Sequence, residues 1–126
     1  MRYQGSKRRL AKHIFPIILE NRKDNQLYVE PFVGGCNSIQ HVEGRRWGND
    51  SHFELIEMWK AVQSGWIPPL NVSESDYLQI KNNQDLFDPA LVGFVGFGCS
   101  FGGKWWGGML EIAKGLGTMR TKAQGL

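Results

Sequence analysis

The chain has 126 residues, with Lys+Arg 15 against Asp+Glu 12 for a net charge of +3, two cysteines and 41% hydrophobic residues. That length fits one domain and excludes most multi-domain enzymes. No run of about 18 apolar residues occurs, the basic N-terminus lacks the apolar core of a secretory signal, and Cys36 and Cys99 lie far apart with no Cys/His cluster. Membrane-spanning, zinc-binding and disulfide-scaffold classes therefore drop out, and a cytoplasmic protein is expected.

Residues 6–23 read as a helix. Ser6 is placed to cap it, Leu10, Ala11, Ile14, Ile17 and Ile18 recur at helical spacing, and Pro16 should kink it. Lys7, Arg8, Arg9 and Lys12 give its first half a basic surface. Leu27-Tyr28-Val29 is a β-prone run ending at Glu30-Pro31, and Gly34-Gly35 follow at once. Residues 38–43 allow one or two helical turns, and 45–49 a second strand in which only Trp47 is apolar.

The strongest helix pattern runs over 51–64. Ser51-x-x-Glu54 fits a capping box, and Leu55, Met58, Trp59 and Val62 form an apolar face widened by Ile56. Gly65 and Pro68-Pro69 stop it. A short helix is expected over 74–82 after Ser73, with Asp76 three residues on. Asp88-Pro89 reads as a cap with proline at the first helical position, and residues 90–97 are apolar on every side and so buried. Gly98 to Gly108 turns to glycine, aromatics and lysine, while 109–126 shows poor periodicity. No internal repeat or linker divides the chain.

Charge is segregated: residues 1–25 carry a net +5, residues 26–100 a net −5 and residues 101–126 a net +3. Basic ends around an acidic middle point to a polyanion partner, against the alternative of an ordinary solvated face. The histidines 13, 41 and 52 have no metal-ligand spacing and read as surface or partly packed residues.

The chemistry concentrates in one unit: a strand, Glu30-Pro31-Phe32-Val33-Gly34-Gly35, a short helix, and a strand ending at Asp50. Glycines directly after a strand let a ligand approach the backbone, and an acidic residue closing the next strand can accept hydrogen bonds from ribose hydroxyls. The loop lacks a full G-x-G-x-x-G series, so it suits a nucleoside better than a dinucleotide, and an ordinary turn is the competing reading. Tyr3-Gln4-Gly5-Ser6-Lys7 adds a ring, a turn and a lysine just before a helix.

Together these segments resemble the N6-adenine DNA methyltransferases of bacteria and their phages. Arg2-Tyr3-Gln4-Gly5-Ser6-Lys7 is similar to the family's N-terminal aromatic-x-Gly-Gly-Lys motif, with Ser6 at the second glycine. Tyr28 to Gly35 is similar to its S-adenosylmethionine loop, with Cys36 following at a position usually small, and Gly48-Asn49-Asp50 to the end of its second strand. Phe101-Gly102-Gly103-Lys104-Trp105-Trp106-Gly107-Gly108 also fits, so the resemblance spans roughly residues 2–108.

The resemblance implies an α/β fold, the N-terminal portion of a Rossmann-like S-adenosylmethionine-dependent methyltransferase, with the sheet incomplete. It implies a cofactor half over 1–65, the start of a DNA-recognition region over 66–108 and an atypical tail over 109–126. Tyr3 and Lys7 would contact the adenosine and methionine portions of the cofactor. Glu30 would face the methionine amino group, Phe32 and Gly34 would line the loop, and Asp50 would bind the ribose. Lys104 would meet DNA phosphate. Trp105 is placed near the substrate strand or in the core, the core being favoured. Double-stranded DNA is the implied partner, in a restriction–modification or phage setting.

The family's catalytic Asp-Pro-Pro-Tyr does not occur; the one Asp-Pro is Asp88-Pro89, followed by Ala90. That motif holds the adenine amino group toward the methyl donor and stacks on the flipped base. The chain alone is therefore expected to be inactive, as a truncated product or one part of a split enzyme whose second polypeptide completes the fold. The alternatives are a non-catalytic S-adenosylmethionine- or DNA-binding module (a subunit, decoy or counter-defence factor) and a degenerate product that folds poorly.

Overall fold

Strand β1 (Tyr28–Glu30) ends where Pro31 removes the next backbone donor, and it pairs in parallel with β2 (Arg46–Gly48), Val29 lying opposite Trp47. The computed structural model describes residues 1–110 of the chain, and these two strands are the sheet within them. Parallel neighbours need a crossover. Here it is the segment 31–45, with a single turn of 3-10 helix at Ile39–His41, as expected for 38–43. The Tyr28 N–H donates to the Arg45 carbonyl and the Asn49 N–H to the Glu30 carbonyl, both at 2.9 Å, so Val29 turns its backbone groups to the other edge. No strand covers that edge among the described residues.

Helix α1 (Ala11–Ile18) is much shorter than the expected 6–23. Ser6 does not cap it: its Oγ accepts from the Arg8 N–H at 3.1 Å and from Asn37 Nδ2 at 2.9 Å, and residues 7–10 form turns instead. Its apolar face is also narrower than its periodicity implies. Ala11 and Phe15 are buried against Val42, while Leu10, Ile17 and Ile18 are exposed. Pro16 leaves the carbonyl one turn earlier without its usual donor, and the helix ends two residues later.

Helix α2 (Phe53–Gln63) begins after His52, not at Ser51, and the expected capping box does not form. Asp50 takes the local role: its Oδ1 accepts the His52 N–H at 3.0 Å, while Glu54 turns to the His52 ring, 3.3 Å away. At the other end Gly65 adopts φ +96, and the Trp66 N–H reaches back to the Ala61 carbonyl at 2.9 Å, closing the helix with a left-handed cap. Helix α3 (Glu74–Asn82) has its expected capping box, with the Asp76 N–H on Ser73 Oγ at 3.0 Å and the Ser73 N–H on Asp76 at 3.4 Å. Asp88 caps α4 (Pro89–Gly93), which continues into one π-helical turn, Phe94–Gly98.

The core lies where α2, α4 and the π turn meet, around the fully buried Leu55, Met58 and Phe94. Helices α2 and α4 are in such close contact that a Cβ on Gly93 would sit on the Glu54 carbonyl. The aromatic segment is tied to α3: Tyr77 Oη lies 2.8 Å from Ser100 Oγ and accepts the Gly108 N–H at 3.3 Å. Ser100 and Met109 form an antiparallel bridge. Most of the tail assigned to 109–126 falls outside the described residues.

Candidate functional site

Because β1 and β2 are parallel, their C-terminal ends open on the same side. That places Glu30, the loop after it and Asp50 together. A pocket of about 310 Å³ forms there, with Tyr3, Lys7, Phe32, Gly34, Asn37 and Asp50 in its lining. The volume is at the lower end of the range for small-molecule sites. Five of the six residues expected to bind a cofactor line it; the sixth, Glu30, joins through Lys7.

Gly34 is the hinge of the site. It adopts φ +51, and a Cβ there would lie 2.8 Å from Tyr3 Cε1, so only glycine fits without displacing the ring. Its N–H donates to Asp50 Oδ2 at 3.1 Å, tying the first loop to the end of β2. Tyr3 is half-buried, packed on Gly34 and tilted against Phe97 with ring centroids 5.3 Å apart. Burial, and secondarily the Asp50 charge, raise the Tyr3 pKa, so the phenol stays protonated. Cys36 sits at φ +56, a strained position for a residue with a side chain, and burial pushes its thiol up to about 12.

Glu30 is buried, at 7% exposure. Its Oε2 accepts from Tyr28 Oη at 3.3 Å. Burial and then the Glu30 charge push the Tyr28 phenol up to about 12. Glu30 Oε1 has no hydrogen-bond partner; the Lys7 ammonium is 3.5 Å away, within ion-pair range but long for a hydrogen bond. Lys7 Nζ instead donates to the Phe32 carbonyl at 2.9 Å. The Phe32 ring is 72% exposed, so this residue contributes to the site through its backbone.

Three supporting residues escaped the sequence reading. Asn37 Nδ2 bridges the Met1 carbonyl at 3.0 Å and Ser6 Oγ at 2.9 Å, fastening the N-terminal segment to the loop. Trp59 Nε1 donates to the Gly34 carbonyl at 3.0 Å, holding the loop against α2. His52 stands edge-on to Phe97 and Trp105, with ring centroids 4.8 and 4.4 Å apart. Asn37 lies two residues past Gly35, close enough to the glycines to be a usable signal; a tryptophan on an apolar helix face gave none.

Trp105 and Lys104 lie outside the pocket. Trp105 is half-buried, seated on Gly96 and packed against Phe97 at 4.6 Å, so its ring belongs to the aromatic cluster flanking the site. Lys104 is exposed. A larger cleft of about 510 Å³ lies behind the loop between β2 and α2; it contains no carboxylate, and the smaller pocket holds the convergent polar groups. Among the described residues no three His, Cys, Asp or Glu side chains converge to hold a metal, and no helix is long and apolar enough to cross a membrane.

No curated protein matches this chain significantly. The family model for D12 class N6 adenine-specific DNA methyltransferases matches residues 3–88, a span that contains every residue of the pocket. With its motif residues gathered at one end of a parallel strand pair, the chain belongs to the D12 class N6 adenine-specific DNA methyltransferase family.

Proposed function

We propose that this chain is the S-adenosylmethionine-binding part of a DNA adenine-N6 methyltransferase, with residues 1–65 as the cofactor half. One observation carries the reading: a buried carboxylate oxygen, Glu30 Oε1, without a hydrogen-bond partner, lies 3.5 Å from the ammonium of Lys7, which lines the pocket. Such an oxygen is costly unless a donor arrives, and a charged N–H donor is the strongest complement. The methionine ammonium supplies one.

The rest of the donor set agrees. Each Asp50 oxygen accepts one backbone N–H, leaving acceptor capacity for ribose hydroxyls. Lys7 offers a cation to the methionine carboxylate, and Gly34 lets the Tyr3 ring pack over the loop that lines the pocket. When bound, S-adenosylmethionine supplies a sulfonium-activated methyl group for the adenine amino nitrogen. On this reading β1 and β2 are the first strands of a Rossmann-like sheet, and 66–108 begins the DNA-recognition region, with Lys104 on phosphate and Trp105 behind it.

Asp-Pro-Pro-Tyr is absent from these 126 residues. Adenine positioning then falls to polypeptide outside this sequence, for which a second chain pairing with the free edge of β1 is the arrangement we favour. The same absence favours a second reading, a non-catalytic S-adenosylmethionine- or DNA-binding module acting as subunit, decoy or counter-defence factor. Both place the chain in the cytoplasm of a bacterial or phage-infected cell.

Calorimetric titration of S-adenosylmethionine tests the common core. The wild-type chain should bind, and Asp50→Ala should lose binding while melting cooperatively. Wild-type chain that melts cooperatively yet binds no cofactor would refute the proposal.

A further inference from the structure

The turn before α1 and the first turn of α1 divide their cations. Lys7 faces the cofactor pocket, whereas Arg8 and Lys12 point to a separate cleft of about 540 Å³ between α1 and the 3-10 turn Ile39–His41. Arg8 and Lys12 are both exposed and both line this cleft, Arg8 from the turn before α1 and Lys12 from its first turn. His41 stands across the cleft, its ring 6.2 Å from that of Phe15.

Among the described residues no carboxylate lines this cleft. None of the ion pairs Lys7–Glu30, His52–Glu54 and Lys60–Glu57 involves Arg8, Arg9 or Lys12. Clustered exposed cations around one concavity, in a segment of net +5, raise the local potential and draw an anion of high charge density.

We propose that the cleft beside α1 is a docking site for the phosphate backbone of duplex DNA, with Arg8 and Lys12 each neutralising a phosphate. The proposal rests on DNA being the substrate, and it adds a contact surface separate from both the cofactor pocket and the 101–108 segment. Its role is positioning, because phosphate contacts set register without reading sequence.

The test is fluorescence anisotropy of a labelled duplex of arbitrary sequence over a salt series. Each phosphate neutralised contributes about 0.9 to the slope of log affinity against log salt. Arg8→Ala/Lys12→Ala should therefore flatten the slope by about 2. Arg8→Gln/Lys12→Gln, which keeps the aliphatic stems, should do the same. The charge-matched pair Lys60→Ala/Lys81→Ala on α2 and α3 should leave the slope unchanged.

Equal flattening by both pairs would mean that net charge alone acts, and would overturn the proposal. So would no flattening, no duplex binding by the wild-type chain, or polyglutamate competing as strongly as DNA per unit charge. Cofactor titration of the same variants separates the two readings: the slope difference without cofactor binding sustains this site and refutes the cofactor pocket.

Discussion

Replacing Gly34 with alanine places a side chain where two constraints meet, and Gly65→Ala isolates one of them. Both positions have positive φ, +51 and +96, and an L side chain in the left-handed region costs about 1–2 kcal/mol. Around Gly65 nothing lies within 4 Å, so its cost is backbone alone. At Gly34 the new Cβ would stand 2.8 Å from Tyr3 Cε1 and 3.2 Å from Cδ1. Carbon pairs rest at about 3.5–4.0 Å, so the ring has to retreat by roughly 1 Å, toward Phe97, or the loop has to leave Asp50. Overpacking of this kind adds about 1–3 kcal/mol, for a total of about 2–5 kcal/mol. Thermal melts and S-adenosylmethionine titration read the two effects. In a chain of this size 1 kcal/mol moves Tm by roughly 3–6 °C. Gly65→Ala should melt lower and bind as the wild type does; Gly34→Ala should melt lower still and lose at least about tenfold in affinity, or about 1.4 kcal/mol. If Gly34→Ala bound like wild type, or were no less stable than Gly65→Ala, the loop geometry would not be what builds the site.

Glu30→Gln keeps the shape of the side chain and removes its charge; cofactor affinity should fall about 10- to 100-fold, the worth of a charged hydrogen bond, measured by the same titration. Trp59→Phe strips the donor from the buried Gly34 carbonyl and should cost about 1–3 kcal/mol in a denaturant melt. Tyr77→Phe removes the bonds to Ser100 and Gly108; faster amide exchange over 100–108 than over α2 should reveal it. Burial pushes the Cys36 and Cys99 thiols up to about 12 from their ordinary 9.0, so the folded chain holds protons that the unfolded chain releases. That stabilisation is complete below pH 9 and is lost toward pH 12, so Tm should fall over this window, and neither thiol should react with a thiol reagent at neutral pH until the chain unfolds.

Local chemistry was legible in the sequence wherever a residue acts on its own neighbours. Ser73 with Asp76, Asp88 before Pro89, and Gly65 at the end of α2 each perform the expected task, because caps depend on a few adjacent residues. Ser6 failed for a tertiary reason, Ser51 because a neighbouring carboxylate took its place. Asn37, distant in sequence, engages the Ser6 hydroxyl, and the Asp50 carboxylate organises the entry to α2 in place of Ser51. The apolar periodicity of 10–18 misled because Leu10, Ile17 and Ile18 stay exposed; the buried side of α1 meets a small cluster of Val42, Tyr28 and the His41 ring. At the site, Gly34 and Asp50 were readable as a pair from spacing and family motif. The Glu30 oxygen left without a hydrogen bond and the Trp59 clamp were not, since they arise from how the N-terminal segment, α2 and the loop come together.

The first seven residues act as a strap between two parts of the molecule that share no secondary structure. Asn37 grips the strap at the Met1 carbonyl, and the Gln4 N–H holds the Gly103 carbonyl at 3.2 Å. Gly103, at φ +68, has no room for a Cβ against the Arg2 backbone. Opening the glycine loop should therefore loosen the aromatic turn through the strap, so the two are expected to exchange as one unit. Ligand that quiets the Gly34 amide will quiet the Gln4 amide as well, so occupancy of the pocket is reported at the aromatic turn without any rearrangement of the helices.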